Sequence, residues 1–109
     1  MDKELQEKIA KLQALEQSMQ QYVMKRQQFA QKLMEVSSAL KEIENAPEMY
    51  KIVGNIMVKT DKETLSKELS ERKEMADLRI KTLEKQESKV SEKVEELKTE
   101  VMKELKKGE

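Results

Sequence analysis

The sequence predicts a mainly α chain: an antiparallel two-helix coiled coil whose arms are joined by a single β-hairpin. Three observations carry this. Two long stretches place apolar residues at alternating spacings of three and four, the signature of a helical seam. Between them lies a short cluster of β-branched and aromatic residues around a Gly-Asn pair. The composition excludes a closed multilayer core, because 40% of the 109 residues are charged and only two Tyr and one Phe are present. Disorder is disfavoured by the periodic apolar residues and by the presence of a single Pro and two Gly. The whole chain reads as one domain, 1–109, divided into a helix over 1–45, a hairpin over 46–61 and a helix over 62–109.

In the first arm the positions 5, 8, 12, 15, 19, 22, 26, 29, 33, 36, 40 and 43 form the seam. Leu5, Leu12, Leu15, Met19, Tyr22, Phe29, Leu33, Val36, Leu40 and Ile43 occupy it, and only Lys8 and Arg26 interrupt it. Gln, Lys and Glu fill the remaining surface as good helix formers. Pro47 disfavours helical geometry at the residue before it, so the arm is expected to end near Asn45. The hairpin follows, with Gly54 supplying the positive φ of a primed turn and Asn55 tolerating it. That turn pairs Val53 with Ile56, Ile52 with Met57, Lys51 with Val58 and Tyr50 with Lys59.

Thr60, followed three residues later by Glu63, resembles a capping box for the second arm. Its seam runs through 69, 73, 76, 80, 83, 87, 90, 94, 97, 101 and 104, with Leu69, Ala76, Ile80, Leu83, Val90, Val94, Leu97 and Val101 interrupted by Lys73, Glu87 and Glu104. Glu63 with Lys67, Glu68 with Arg72 and Asp77 with Lys81 are spaced for supporting pairs on the helix surface. Lys103, Lys106 and Lys107 suit a helix C-terminus. Residue pairs in the hairpin sum to 109, and the same sum carries the first seam onto the second. An antiparallel pair therefore closes in one register, with Arg26 and Glu87 in adjacent layers where each answers the other's charge.

The same inventory bounds function. Without Cys or His there is no thiol chemistry, no imidazole base and no thiolate or imidazole metal site, and no glycine-rich phosphate loop is present, so neither catalytic nor metal-binding residues nor a cofactor are expected and the chain does not read as an enzyme. No apolar run is long enough to span a membrane and no signal segment is visible, which gives a cytoplasmic reading with no membrane partner. Charge balances locally, seven basic against seven acidic residues in 1–46, two against two in 47–61 and thirteen against thirteen in 62–109. No nucleic-acid face is expected from that balance. The hairpin has apolar side chains on both faces and two unpaired edges, so Tyr50, Ile52, Val53, Gly54, Ile56 and Val58 are expected to assemble with other chains.

The run Met49-Tyr50-Lys51-Ile52-Val53-Gly54-Asn55-Ile56-Met57-Val58-Lys59, flanked by arms of equal length, resembles the archaeal-like beta-type subunit of prefoldin, whose alpha type carries two hairpins where this chain has one. The resemblance implies a hexamer of two alpha-type and four beta-type subunits whose hairpins form an intersubunit β-barrel. It implies an ATP-independent holdase, without cofactor, that captures unfolded client proteins at the free ends of its coiled coils and passes them to a group II chaperonin. By position, the client-binding role falls on Leu5, Ile9, Leu12, Val94, Leu97, Val101, Met102 and Leu105. Leu12, Leu33 and Leu83 read first as seam core, whereas Ile9, Met102 and Leu105 lie off the seam near the ends. A passive coiled-coil scaffold without client binding is the alternative that the arms and hairpin alone would satisfy.

Overall fold

Helix formers dominate residues 3–42 and 62–107, and in the computed structural model, which describes residues 2–108, both stretches are helical. The order is α1 (Lys3–Glu42), β1 (Met49–Val53), β2 (Ile56–Thr60) and α2 (Lys62–Lys107). At the start of α1 the Asp2 carboxylate accepts the Leu5 backbone N–H at 2.7 Å, satisfying one donor that the first turn leaves open. The helix stops at Glu42 rather than near Asn45. Ile43 still donates to the Ala39 carbonyl at 3.0 Å, but the Asn45 amide turns back to the Glu42 carbonyl at 3.4 Å, so the chain has already left the helix before Pro47 constrains Ala46.

The strands pair antiparallel as Met49 with Thr60, Tyr50 with Lys59, Lys51 with Val58, Ile52 with Met57 and Val53 with Ile56. This is the register that the Gly-Asn turn dictates. Gly54 has φ +62°, and no non-glycine residue among those described has positive φ. Positive φ at the first central position alone defines a type II′ turn, so Asn55 contributes no left-handed backbone. The ladder reaches Thr60, which makes that residue the last of β2 and not a helix cap. Asp61 caps α2 instead: its carboxylate accepts the Thr64 N–H at 2.8 Å and the Thr64 hydroxyl at 3.0 Å. These two bonds hold the Asp61 carboxyl below its ordinary pKa, as expected when the charged form is the one being hydrogen-bonded.

The chain falls into two compact units, one made of Met1–Gln27 with Lys81–Glu109 and the other of Gln28–Ile80. In the first, the α1 and α2 segments run antiparallel, since low-numbered Lys8 meets Glu104 while Arg26 meets Glu87. Leu5, Leu83, Val94, Leu97 and Val101 are buried there. In the second, Ile43 and Leu69 are buried beside the hairpin and Ala76 is buried further along the helices. Each of these eight residues occupies a predicted seam position. The rest of the predicted seam is half-buried except Lys73, which is exposed. Of the expected surface pairs, Glu68 departs from its assignment: it reaches the Lys51 ammonium at 2.9 Å, because the strand beside α2 offers a second cation in competition with Arg72.

Candidate functional site

Two groups of residues were expected to act on other molecules, and the fold places them in different units. In the unit formed by Gln28–Ile80, the hairpin concentrates unburied apolar surface. Ile52 is 74% exposed, and its cross-strand neighbour Met57 is 67% exposed. Tyr50, Val53, Ile56 and Val58 are exposed as well. Six large apolar side chains in the nine residues from 50 to 58 thus face solvent within this chain. Met57, paired with Ile52 across the strands, adds to the same exposed apolar surface. Lys51 and Thr60 are half-buried, and the Lys51 to Glu68 bond ties the strand to α2. The Tyr50 hydroxyl donates to Glu48 at 2.9 Å, leaving its ring at the surface. A two-stranded sheet of this kind is marginal in water by itself, and a contiguous apolar patch is the kind of surface that docks another molecule.

In the other unit, the expected client-binding residues divide by burial. Leu5, Val94, Leu97 and Val101 are interior, Ile9 and Leu12 are half-buried, and Met102 and Leu105 are exposed, 56% and 45% respectively. Met102 and Leu105 therefore offer apolar surface directly, whereas the interior four become available only if the helix ends separate. In the layers of Leu5 and Val101 lies a charge cluster. The Lys8 ammonium donates to Glu104 and lies 3.7 Å from both Glu4 and Glu100. The Glu104 hydrogen bond, strengthened by the charges of Glu104, Glu100 and Glu4, raises the Lys8 pKa above its ordinary value. Further along the same unit the Arg26 Nε donates to Glu87 Oε2 at 2.7 Å, and that contact raises the Arg26 pKa in the same manner.

The Arg26–Glu87 contact was legible as two charged interruptions in adjacent layers. The Lys8–Glu104 contact follows the same rule, since the sum of 109 pairs Lys8 with Val101 and Leu5 with Glu104, so the signal for it lies in the same two interruptions of the seam. Met24, Met34, Met75 and Leu78 are exposed along the helices, all at positions outside the three-and-four seam. No helix among the described residues is long and apolar enough to cross a membrane.

Comparison with known proteins supplies a common identity for these features. Residues 6–108 match a family profile described as "Prefoldin subunit". The prefoldin subunit beta of Sulfurisphaera tokodaii is 40% identical over 101 residues, which cover 90% of this chain and 81% of that protein. That of Archaeoglobus fulgidus is 38% identical over 96 residues, covering 85% and 83%. Among solved structures, the prefoldin beta subunit from Thermococcus strain KS-1 superposes with a TM-score of 0.86 at 34% identity, covering 95% of this chain and 94% of that one.

Proposed function

The chain belongs to the prefoldin family, among its beta-type subunits, and from that premise we propose that it is a subunit of an ATP-independent holdase that captures unfolded proteins and transfers them to a group II chaperonin. In this reading four copies assemble with two alpha-type prefoldin subunits in the cytoplasm. Tyr50, Ile52, Val53, Gly54, Ile56 and Val58, with Met57, close an intersubunit β-barrel. The observation that carries the assembly step is the exposed hairpin: each fully buried side chain of this size stabilises by about 1.5–3 kcal/mol, and the single chain buries almost none of them. Closure also satisfies the two free strand edges.

Client capture falls to the helix ends. Met102 and Leu105 contribute in the closed conformation, and Ile9, Leu12, Leu5, Val94, Leu97 and Val101 as the terminal turns loosen, because terminal turns have the lowest local stability. Binding spread over several such ends gains strength through multivalency while each contact stays weak enough to release without nucleotide.

The test uses the full chain reconstituted with an alpha-type subunit. The assembly is expected to suppress aggregation of an unfolding test protein, followed by light scattering without nucleotide. Replacing Ile52 and Val58 with Lys should reduce the native mass while helical circular dichroism persists. Full assembly with no protection of the test protein would leave a passive scaffold as the function, and unchanged native mass in the doubly substituted chain would move assembly away from the hairpin.

A further inference from the structure

Resting on the holdase reading, we propose that Lys8 and Glu104 form a latch that sets how far the free ends of α1 and α2 open, and so how much apolar surface they present to an unfolded chain. The latch has the right position. Among the described residues, the Lys8 cluster is the one set of ion pairs joining α1 to α2 in the terminal turns, and it draws Glu4 from one helix and Glu100 and Glu104 from the other around a single ammonium. Directly in the same layers lie Leu5 and Val101, 6% and 8% exposed. Opening there converts interior apolar surface into surface continuous with exposed Met102 and Leu105.

It also has a suitable strength. Glu104 Oε2 is buried without a hydrogen-bond partner, so its carboxylate is only half satisfied in the closed state. A buried acceptor left unpaired opposes closure, while Lys8 regains full hydration on opening because it is already partly solvated. Two leucines in these positions would close the seam without the unpaired acceptor, since apolar side chains at a half-buried seam position carry no desolvation penalty. A charged layer at this end therefore gives a closure that water can undo. The Arg26–Glu87 contact is the internal contrast. It is the same chemistry within the same unit, but seam residues continue on both sides of it, so its loss weakens the helix pair without opening an end.

The experiment compares four full-length chains: the parent, Lys8→Ala, the doubly substituted Lys8→Leu with Glu104→Leu, and Arg26→Ala. Amide hydrogen exchange reports opening at residues 3–12 and 94–107, and suppression of aggregation of a denatured test protein reports capture. Lys8→Ala should speed terminal exchange by about threefold, the weight of one partly exposed ion pair, and raise capture at substoichiometric ratios. The double Leu variant should slow terminal exchange and lower capture. Arg26→Ala should reduce melting temperature yet leave terminal exchange and capture at parent levels.

Unchanged terminal exchange in both Lys8 variants would overturn the latch. Altered exchange with equal capture in an active parent would overturn its role in client binding. Capture that follows melting temperature across all four chains, Arg26→Ala included, would reduce the pair to a structural contact. If the parent protects no client at all, the holdase reading fails, and with it the gating of capture, while the exchange data still decide whether the ends are latched.

Discussion

Gly54→Ala isolates the demand that the turn places on the backbone. A methyl group at Gly54 would meet no heavy atom within 4 Å, so sterics against the rest of the protein contribute nothing. What remains is the conformation itself: φ +62° lies in the left-handed region, where an L side chain costs roughly 1–2 kcal/mol. Alanine also narrows the unfolded ensemble, which offsets about 0.4–1 kcal/mol. The net cost is near 1 kcal/mol per chain, or about fivefold in the fraction of hairpins correctly formed. Because the lone hairpin is marginal, that factor should appear in assembly and hardly at all in the helices. The assay is native mass against protein concentration: Gly54→Ala should dissociate at higher concentration than the parent with the same helical circular dichroism. Asn55→Ala is the control. Asn55 has no positive φ, so its replacement should change stability by less than about 0.5 kcal/mol. Equal dissociation curves for Gly54→Ala and the parent, or a larger effect from Asn55→Ala, would refute the argument that the left-handed residue at 54 is what the turn requires.

Two further substitutions test the helices. Leu83→Ala, at a side chain 7% exposed, should cost about 2–4 kcal/mol and lower the melting temperature sharply, whereas Met24→Ala at an exposed position should stay within about 0.5 kcal/mol. Asp61→Ala should loosen the first turn of α2, read as faster exchange at the Thr64 amide. Since the folded-state pKa of Asp61 is depressed, its contribution is present above the ordinary carboxyl value and lost as pH falls through the lower folded value. The difference in melting temperature between parent and variant should accordingly shrink below about pH 4, and a gap that stays constant to lower pH would remove the capping carboxylate as its source.

The seam was legible because burial in a helix pair depends on periodicity, and periodicity survives a few wrong residues. Lys8, Arg26, Glu87 and Glu104 broke the apolar pattern without shifting its phase, and the eight buried side chains all lie in that phase. The hairpin register was legible for a different reason: a two-residue turn fixes every pair after it, so one Gly-Asn dipeptide specified four of the five partnerships. What failed were features decided by one residue's competition with its neighbour. Thr60 and Asp61 are both good caps, and only the length of the strand ladder decides which is left for the helix. Glu68 had two cations within reach, and its choice of Lys51 depends on how the strand lies beside α2. Surface pairs between long side chains are worth little, and spacing alone does not rank them.

Burial of a narrow seam also determines where function can reside. A two-helix pair covers one stripe of each helix, so apolar residues beyond that stripe must remain exposed or be covered by another molecule. Along the helix interiors the exposed Met24 and Met34 sit singly among mostly polar and charged residues, and isolated exposed hydrophobes of this kind are ordinary. In the hairpin the spacing collapses: Tyr50, Ile52, Val53, Ile56, Met57 and Val58 form cross-strand neighbours with only Lys51, Gly54 and Asn55 among them. Contiguity, rather than hydrophobicity, distinguishes the two cases. The hairpin patch and the helix ends share no residue and belong to different compact units, so under the proposed holdase function assembly and capture should respond independently: a hairpin substitution should shift the concentration at which the complex forms, and a terminal substitution should change how much client a fully formed complex holds.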